Sequence, residues 1–347
     1  MRVLVTGNQG YIGPVMVSTL QEAGHEVVGL DAGFFVDDAL EPSIPISTLR
    51  RDIRDVSEND LEGLDAIVHL ANISNDPLGF LDPSVTFSVN VDATVRLAEL
   101  ARTAGVRRFV NSSSCSAYGA AVEEWVDEET MPRPVTPYGE SKVQAEAGLA
   151  LLADEGFCVV SFRNATAFGY TANLRTDLVV NDLTAGAFLR GEIKLNSDGG
   201  AWRPLVHVRD IAQAFALALE TPADRVNGEV VNIGAEAQNY KVLEIATEVA
   251  ERVPGANLSF AEGAGPDKRS YRVRFDKAAR LFPDFHCEYP LQRGIDDLVA
   301  NFERVGLRGL AWQGVRLTRL ERLIDEGELD ETLRFRGAQS SAVGDAA

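Results

Sequence analysis

The chain is short of lysine and cysteine, and it has no long hydrophobic run. Its lysines are Lys142, Lys194, Lys241, Lys268 and Lys277, and its 33 basic residues face 52 acidic ones, for a formal net charge of -19. That deficit of positive charge excludes a nucleic-acid backbone or an anionic membrane as the main partner, though a small anion met by a local cluster of donors remains compatible. The three cysteines, Cys115, Cys158 and Cys287, are far apart and show no paired spacing. This argues against a disulfide scaffold and against zinc or another metal centre, and it fits a reducing cytoplasm. No apolar stretch approaches a membrane span. The chain enters a strand almost at once, without a basic leader and cleavage site. A soluble, cytoplasmic protein is expected. With 347 residues and 45% apolar content, the sequence has material for one large domain or two ordinary ones.

Arg2–Thr6 (RVLVT) reads as a buried strand, followed by Gly7, Gly10 and Gly13 and then an apolar-periodic helix to about Ala23. Residues 26–31 (EVVGLD) form a second strand ending in Asp31. Strand, glycine turn, helix and strand closing on an acid make a βαβ unit suited to a dinucleotide. A tight turn needs the first glycine, the approach of a pyrophosphate needs the second, and helix–strand packing needs the third. Asp31 can accept both ribose hydroxyls of NAD and would repel the 2′-phosphate of NADP, so NAD is favoured. Asp52-Ile53 stands where an adenine could be met.

Further strands are expected at about 65–71, 107–112 and 157–163, alternating with helices at 83–104 and from Pro137 to about 155. The fold class is therefore α/β, a doubly wound parallel sheet of Rossmann type. In such sheets ligands bind beyond the carboxyl ends of the strands. The glycine turn, Asp31, Ala71-Asn72, Ser114 and Arg163-Asn164 all fall at such ends. From about residue 171 the pattern changes. Helices at 174–190, 241–252, 291–305, 315–326 and 328–336 are interspersed with short strands. We expect residues 1–170 to hold the dinucleotide, 171–336 to form a smaller α/β substrate-binding region, and 337–347 to be a disordered tail.

Tyr138 and Lys142 are four apart and so share one helix face. An ammonium beside a phenol favours the phenolate, and a serine at a strand end could share the hydrogen on a substrate alcohol. Such a trio suits proton transfer during alcohol oxidation or ketone reduction. Taken alone, the pair could equally be a surface contact steadying a helix. His69 and His207 lie in apolar strands and are expected to be satisfied core residues. Cys115 is expected to be chemically inert.

Taken in order, Thr6–Gly13 (TGxxGxxG), Asp31, Asp52-Ile53, His69-Leu70-Ala71, Asn90, the serines 112–114, Tyr138-x-x-x-Lys142, Arg163 to Gly169 and Trp202 to Asp210 resemble the extended short-chain dehydrogenase/reductase family. The resemblance covers roughly residues 1–305 and is nearest to members acting on nucleotide-diphosphate sugars. It implies that Ser114, Tyr138 and Lys142 are catalytic. It implies cofactor binding by Gly7, Gly10, Tyr11, Ile12, Gly13, Asp31, Asp52, Ile53, Leu70, Ala71, Asn90, Ser112, Tyr138 and Lys142, with Asn90 supporting the site behind Lys142 or the cofactor. Substrate contacts are implied for Ser114, Cys115, Ser116, Asn164, Asn181, Arg203 and Arg269, with the arginines as phosphate ligands. A homodimer paired through the helices at about 85–104 and 138–155 is implied as well.

Two departures from the family pattern bear on the sugar: Phe168 stands for a tyrosine and Asn164 for a proline. A 4,6-dehydratase of this kind would carry Asp-Glu where this chain has Cys115-Ser116, and a decarboxylase would have a glutamate there. Neither is favoured. The expected activity is an NAD-dependent nucleotide-sugar epimerase working through a transient keto-sugar, with a 4-ketoreductase as the alternative and a non-catalytic NAD-binding protein further behind.

Overall fold

The computed structural model describes residues 1–74, 82–267, 270–308 and 316–336. Seven strands form one parallel sheet. Six of them are β1 (Arg2–Thr6), β2 (Glu26–Asp31), β3 (Thr48–Arg50), β4 (Ala66–His69), β5 (Arg108–Ser114) and β7 (Cys158–Asn164), and the seventh is Glu229–Ile233; β6 is the two-residue strand Trp125–Val126, which pairs outside this sheet. Across the sheet the strand Glu229–Ile233 comes first, then β7, β5, β4, β1, β2 and β3, with the chain reversing its direction of travel between β1 and β4. That reversal opens a crevice at the carboxyl ends of the central strands.

The central strands β1, β4, β5 and β7 are buried along almost their whole length, as a sheet covered on both faces requires. One core lies under the helix Gly13–Glu22 and the helix Val208–Glu220, and another under Thr94–Thr103 and the end of Pro137–Ala150. No helix among the described residues is long and apolar enough to cross a membrane.

The expected division at residue 170 is interleaved. The strand Glu229–Ile233 and the helix Val208–Glu220 come from the C-terminal half, yet that strand completes the main sheet beside β7, in register from Glu229 opposite Val160 to Ile233 opposite Asn164. The rest of that half builds small sheets around Glu192–Ser197 and Trp202–His207 and its own apolar core. The helix expected at 83–104 is broken into Pro83–Phe87, a π-helical turn Ser88–Ala93, and Thr94–Thr103. The π turn carries Asn90, and such bulges often mark functional positions. The helix expected from 174 begins at Val179. The helix expected at 328–336 does not form: Leu329 and Phe335 make an antiparallel bridge instead.

A buried polar network fixes the helix Pro137–Ala150 against the sheet. Arg163 donates to Glu146 from Nε (3.0 and 3.2 Å) and Nη2 (2.7 Å), and Ser113 Oγ donates to the same carboxylate. Arg163 Nη1 also reaches the Tyr118 hydroxyl at 3.2 Å, and that hydroxyl donates to Asn232 at 2.7 Å. Both charged side chains are about 95% buried, so the loss of either would leave a bare charge in the core. We expect Glu146→Ala to lower stability by about 3–5 kcal/mol in urea titration, and Glu146→Gln, which keeps the shape and a hydrogen-bonding oxygen, to cost less.

Candidate active site

The glycine turn is shaped by contacts that leave no room for a side chain. Gly7 has φ +72°, and a Cβ there would stand 2.8 Å from the Ala71 nitrogen. At Gly13 a Cβ would meet the Asn8 carbonyl oxygen at 2.3 Å, so this glycine serves helix packing and does not face the cleft. Gly10, Tyr11 and Ile12 line the cleft at the start of the first helix, where backbone N–H groups and the helix dipole favour an anion. At the end of β2, Asp31 accepts from the Gln9 nitrogen at 2.9 Å and the Gly33 nitrogen at 2.6 Å. Burial raises its carboxyl, and the two N–H bonds oppose that shift.

Asp52 and Ile53 also border the cleft. The Asp52 carboxylate, however, is held by Arg54 through Nε (3.0 and 3.1 Å) and Nη2 (2.6 Å), so whatever it offers an adenine it offers together with a guanidinium. Leu70 and Ala71 line the floor. Asn90 does not. It is fully buried, accepts from the Ile73 nitrogen at 2.8 Å, and donates to the Ile73 carbonyl and to Ser141 Oγ, both at 3.0 Å. Asn90 thus stands behind Lys142, joining the loop after β4 to the helix that carries it, the supporting one of its two implied roles. His69 bridges Thr6 Oγ1 (2.8 Å) and Thr94 Oγ1 (2.9 Å) in the core, and burial pushes its imidazole down to about 3.

Pro137 opens the helix that follows, with Thr136 capping it through the Gly139 nitrogen at 3.1 Å. A Cβ at Gly139 would lie 2.8 Å from the Ser116 carbonyl oxygen, so a glycine there lets the helix start press onto the turn after β5. Ser114, Tyr138 and Lys142 thereby line one end of the same cleft. Lys142 is 97% buried. Its Nζ donates to the Ser112 carbonyl at 2.6 Å and lies 5.6 Å from the Tyr138 ring centre. Burial pushes Lys142 down to about 7, against the pull of Glu146. Ser114 Oγ accepts from the Ser116 nitrogen at 3.1 Å.

Cys115 lies at the cleft wall, but its thiol is buried, points at the Arg163 carbonyl (3.2 Å) and is raised by burial, which suits packing and not chemistry. Asn164, level with Ser114 across β5 and β7, donates to Ser112 Oγ at 3.1 Å. Its Oδ1, like Ser116 Oγ, is buried without a partner among the described residues.

Asn181 does not face the cleft, which corrects its expected role with the sugar diphosphate. It is fully buried, accepts from the Gly169 nitrogen at 3.0 Å, and donates to the Tyr11 hydroxyl (3.0 Å) and the Arg175 carbonyl (2.8 Å). Phe168 is equally removed. It packs on His207 and under Gly294, so the missing tyrosine hydroxyl lies outside the site. Arg203 borders the cleft and pairs with Asp267 at 2.6 Å. Arg269 lies outside the described residues.

Two cleft residues gave no motif signal. Arg175 is paired with Asp177 at 2.8 Å and bonded to Ser74, and Arg316 comes from a helix beyond the part of the chain that the resemblance covers.

The cleft measures about 1250 Å³, more than the roughly 300–1,000 Å³ of an ordinary small-molecule site. A Rossmann crevice ending in a Ser, Tyr and Lys trio defines a dinucleotide-dependent enzyme that moves hydride and proton at a carbon–oxygen bond. Residues 3–234 match the NAD dependent epimerase/dehydratase family, and the chain belongs to it.

A UDP-glucose 4-epimerase of Mycolicibacterium smegmatis is 34% identical over 73% of this chain and 83% of its own length. Among solved structures, MoeE5 in complex with UDP-glucuronic acid and NAD is 29% identical, with a TM-score of 0.76 over 88% of this chain and 99% of that one. The UDP-glucose 4-epimerase of Thermus thermophilus in complex with NAD is 27% identical, with a TM-score of 0.71 over 87% and 99%.

NAD fits the residues present. Asp31 stands where ribose hydroxyls would be accepted, the glycine turn where a pyrophosphate would lie, and Ser112, Tyr138 and Lys142 at the end suited to the nicotinamide ribose.

The depressed Lys142 has a consequence for the cofactor-free protein. Between about pH 7 and the ordinary lysine range the unfolded chain binds a proton that the folded one does not, so this residue makes stability rise with pH there. Urea midpoints measured from pH 7 to 10 should show that rise in the wild type relative to Lys142→Met, in which it is absent.

Proposed function

We propose that this enzyme interconverts the C4 epimers of a uridine-diphosphate hexose or hexuronic acid through a transient 4-keto sugar. The observation that carries the reading is the placement of Ser114, Tyr138 and Lys142 at one end of a cleft whose neighbouring turn, Cys115-Ser116, carries no carboxylate. Water elimination or decarboxylation would call for an acid or base there. The names of the relatives, UDP-glucose 4-epimerases, support the same choice.

When bound, NAD supplies a reversible hydride acceptor. The chain does the rest. Tyr138 takes the hydroxyl proton as the ketone forms and gives it back as the alcohol re-forms, so acid and base are one group used in both directions. Ser114 holds the reacting oxygen. Lys142, in its protonated form, favours the phenolate form of Tyr138. Arg203 anchors the diphosphate, leaving the sugar free to present its other face between the two hydride transfers. Ser116 and Asn164 offer polar atoms to the sugar and the nicotinamide end. The reading includes a cytoplasmic homodimer serving carbohydrate biosynthesis, with the mutually packed helices Thr94–Thr103 and Pro137–Ala150 as its pairing surface.

Purified protein should convert UDP-galactose, UDP-glucose or UDP-glucuronic acid to the C4 epimer, read by NMR, without added cofactor and without net change at 340 nm. Absence of the C4 epimer, together with stoichiometric consumption of added NADH when a nucleotide 4-keto sugar is supplied, would replace the epimerase with a ketoreductase. Tyr138→Phe should lower kcat by about 10²–10⁴ while leaving NAD bound.

A further inference from the structure

The helix Arg316–Asp325 and the chain that follows it cross the mouth of the cleft between two loops. On one side Arg319 donates to the Phe34 carbonyl at 3.1 Å and pairs with Asp37 at 2.8 Å. On the other, Arg54 donates to the carbonyls of Thr332 (2.8 Å) and Leu333 (3.2 Å), and Arg334 pairs with Asp55 at 2.5 Å. Beneath, Leu320, Leu323, Leu329 and Leu333 pack in one apolar cluster with Ile73 and Val85. Leu333 holds a left-handed backbone, φ +59°, a cost that an L residue accepts only where surrounding contacts impose it. The segment thus spans the loop after β2 and the turn after β3, the two stretches beside Asp31 and Asp52.

Arg316 is the first residue of this helix, and it is 96% buried. Its Nη2 donates to the Asn173 carbonyl at 3.1 Å, and its guanidinium stacks on Phe35 at 3.9 Å. Among the described residues no carboxylate lies within ion-pair distance of it. Burial, with Arg175 nearby, pushes it down to about 9, and the more distant charges of Asp177, Asp38 and Asp31 do not make up the difference. Asn173 also donates to the Gln9 carbonyl at 2.7 Å, so Arg316 is one residue removed from the glycine turn, and it borders the same cleft as Gly10 and Tyr11. A buried cation without a carboxylate in contact is costly unless an anion arrives to meet it. The fold presents this one beside a helix N-terminus.

We propose that Arg316 binds the pyrophosphate of the dinucleotide, and that residues 316–336 form the outer wall that keeps the cofactor in place between turnovers. The proposal rests on the dinucleotide reading of the cleft and not on the identity of the sugar.

The test compares wild type, Arg316→Met and Arg316→Lys as full-length proteins. Each is stripped of nucleotide and titrated with NAD and with ADP-ribose by calorimetry, and each is melted with and without NAD. Arg316→Met should weaken both ligands at least tenfold and shrink the melting shift that NAD produces. Its cofactor-free form should melt no lower than wild type, because an uncompensated buried charge has been removed. Arg316→Lys should recover part of the affinity. Unchanged NAD affinity in Arg316→Met would overturn the proposal. A cofactor-free melting temperature below wild type, or affinity lost equally in both variants, would assign Arg316 to packing and overturn it as well. A wild type that binds neither ligand would instead remove the dinucleotide reading itself.

Discussion

Lys142 reaches across the end of β5 to the Ser112 carbonyl at 2.6 Å, and the site is arranged around that bond. It joins the helix that carries Tyr138 to the strand that carries Ser114, so the phenol and the serine hydroxyl keep a fixed relation to one another. The bond requires a lysine in a place that water does not reach, and burial works against its charge. The surrounding structure answers that cost. Glu146, one turn further along the helix, opposes the shift and is itself held by Arg163 and Ser113. On the next helical position back, Ser141 is tied through Asn90 to the loop at Ile73. The geometry of the site is set by the polar interior behind it as much as by the residues that line it.

The same logic explains which parts were legible in the sequence. The glycine turn, Asp31 and the Tyr138–Lys142 pair are local patterns. Each is dictated by what a few consecutive residues must do: turn tightly, end a strand in an acid, or share a helix face. They read correctly from the chain because tertiary context does not alter them. His69 and His207 could likewise be placed in the core, since an imidazole in an apolar strand has few alternatives.

Misreadings arose where a side chain had two chemically reasonable partners. An asparagine can serve a ligand or the backbone equally well. Asn181 accepts from the backbone across a separation of 12 residues that no spacing rule reveals. The π turn at Ser88–Ala93 was hidden because it keeps the same apolar stripe as an α-helix while adding a residue to one turn. Arg175 and Arg316 were invisible for a different reason. Arginines are common in this chain, and only the fold shows which of them are buried.

The C-terminal segment gives the cleft a property that the sheet does not. A parallel sheet leaves its ligand crevice open along one edge, because the loops that border it come from separate crossovers. Residues 34–38 and 52–55 are two such borders, and residues 316–336 tie them together through Arg319, Arg54 and Arg334. Arg54 holds both Asp52 and the carbonyls of the crossing segment, so that wall cannot move without disturbing a carboxylate that borders the cleft. A reaction that returns its hydride to the same molecule depends on a cofactor that stays. A reductase must release its cofactor at every turnover and would be slowed by the same wall. The enclosure therefore bears on the reaction as directly as the residues at the nicotinamide end, and it favours the cycle in which nothing but the sugar leaves.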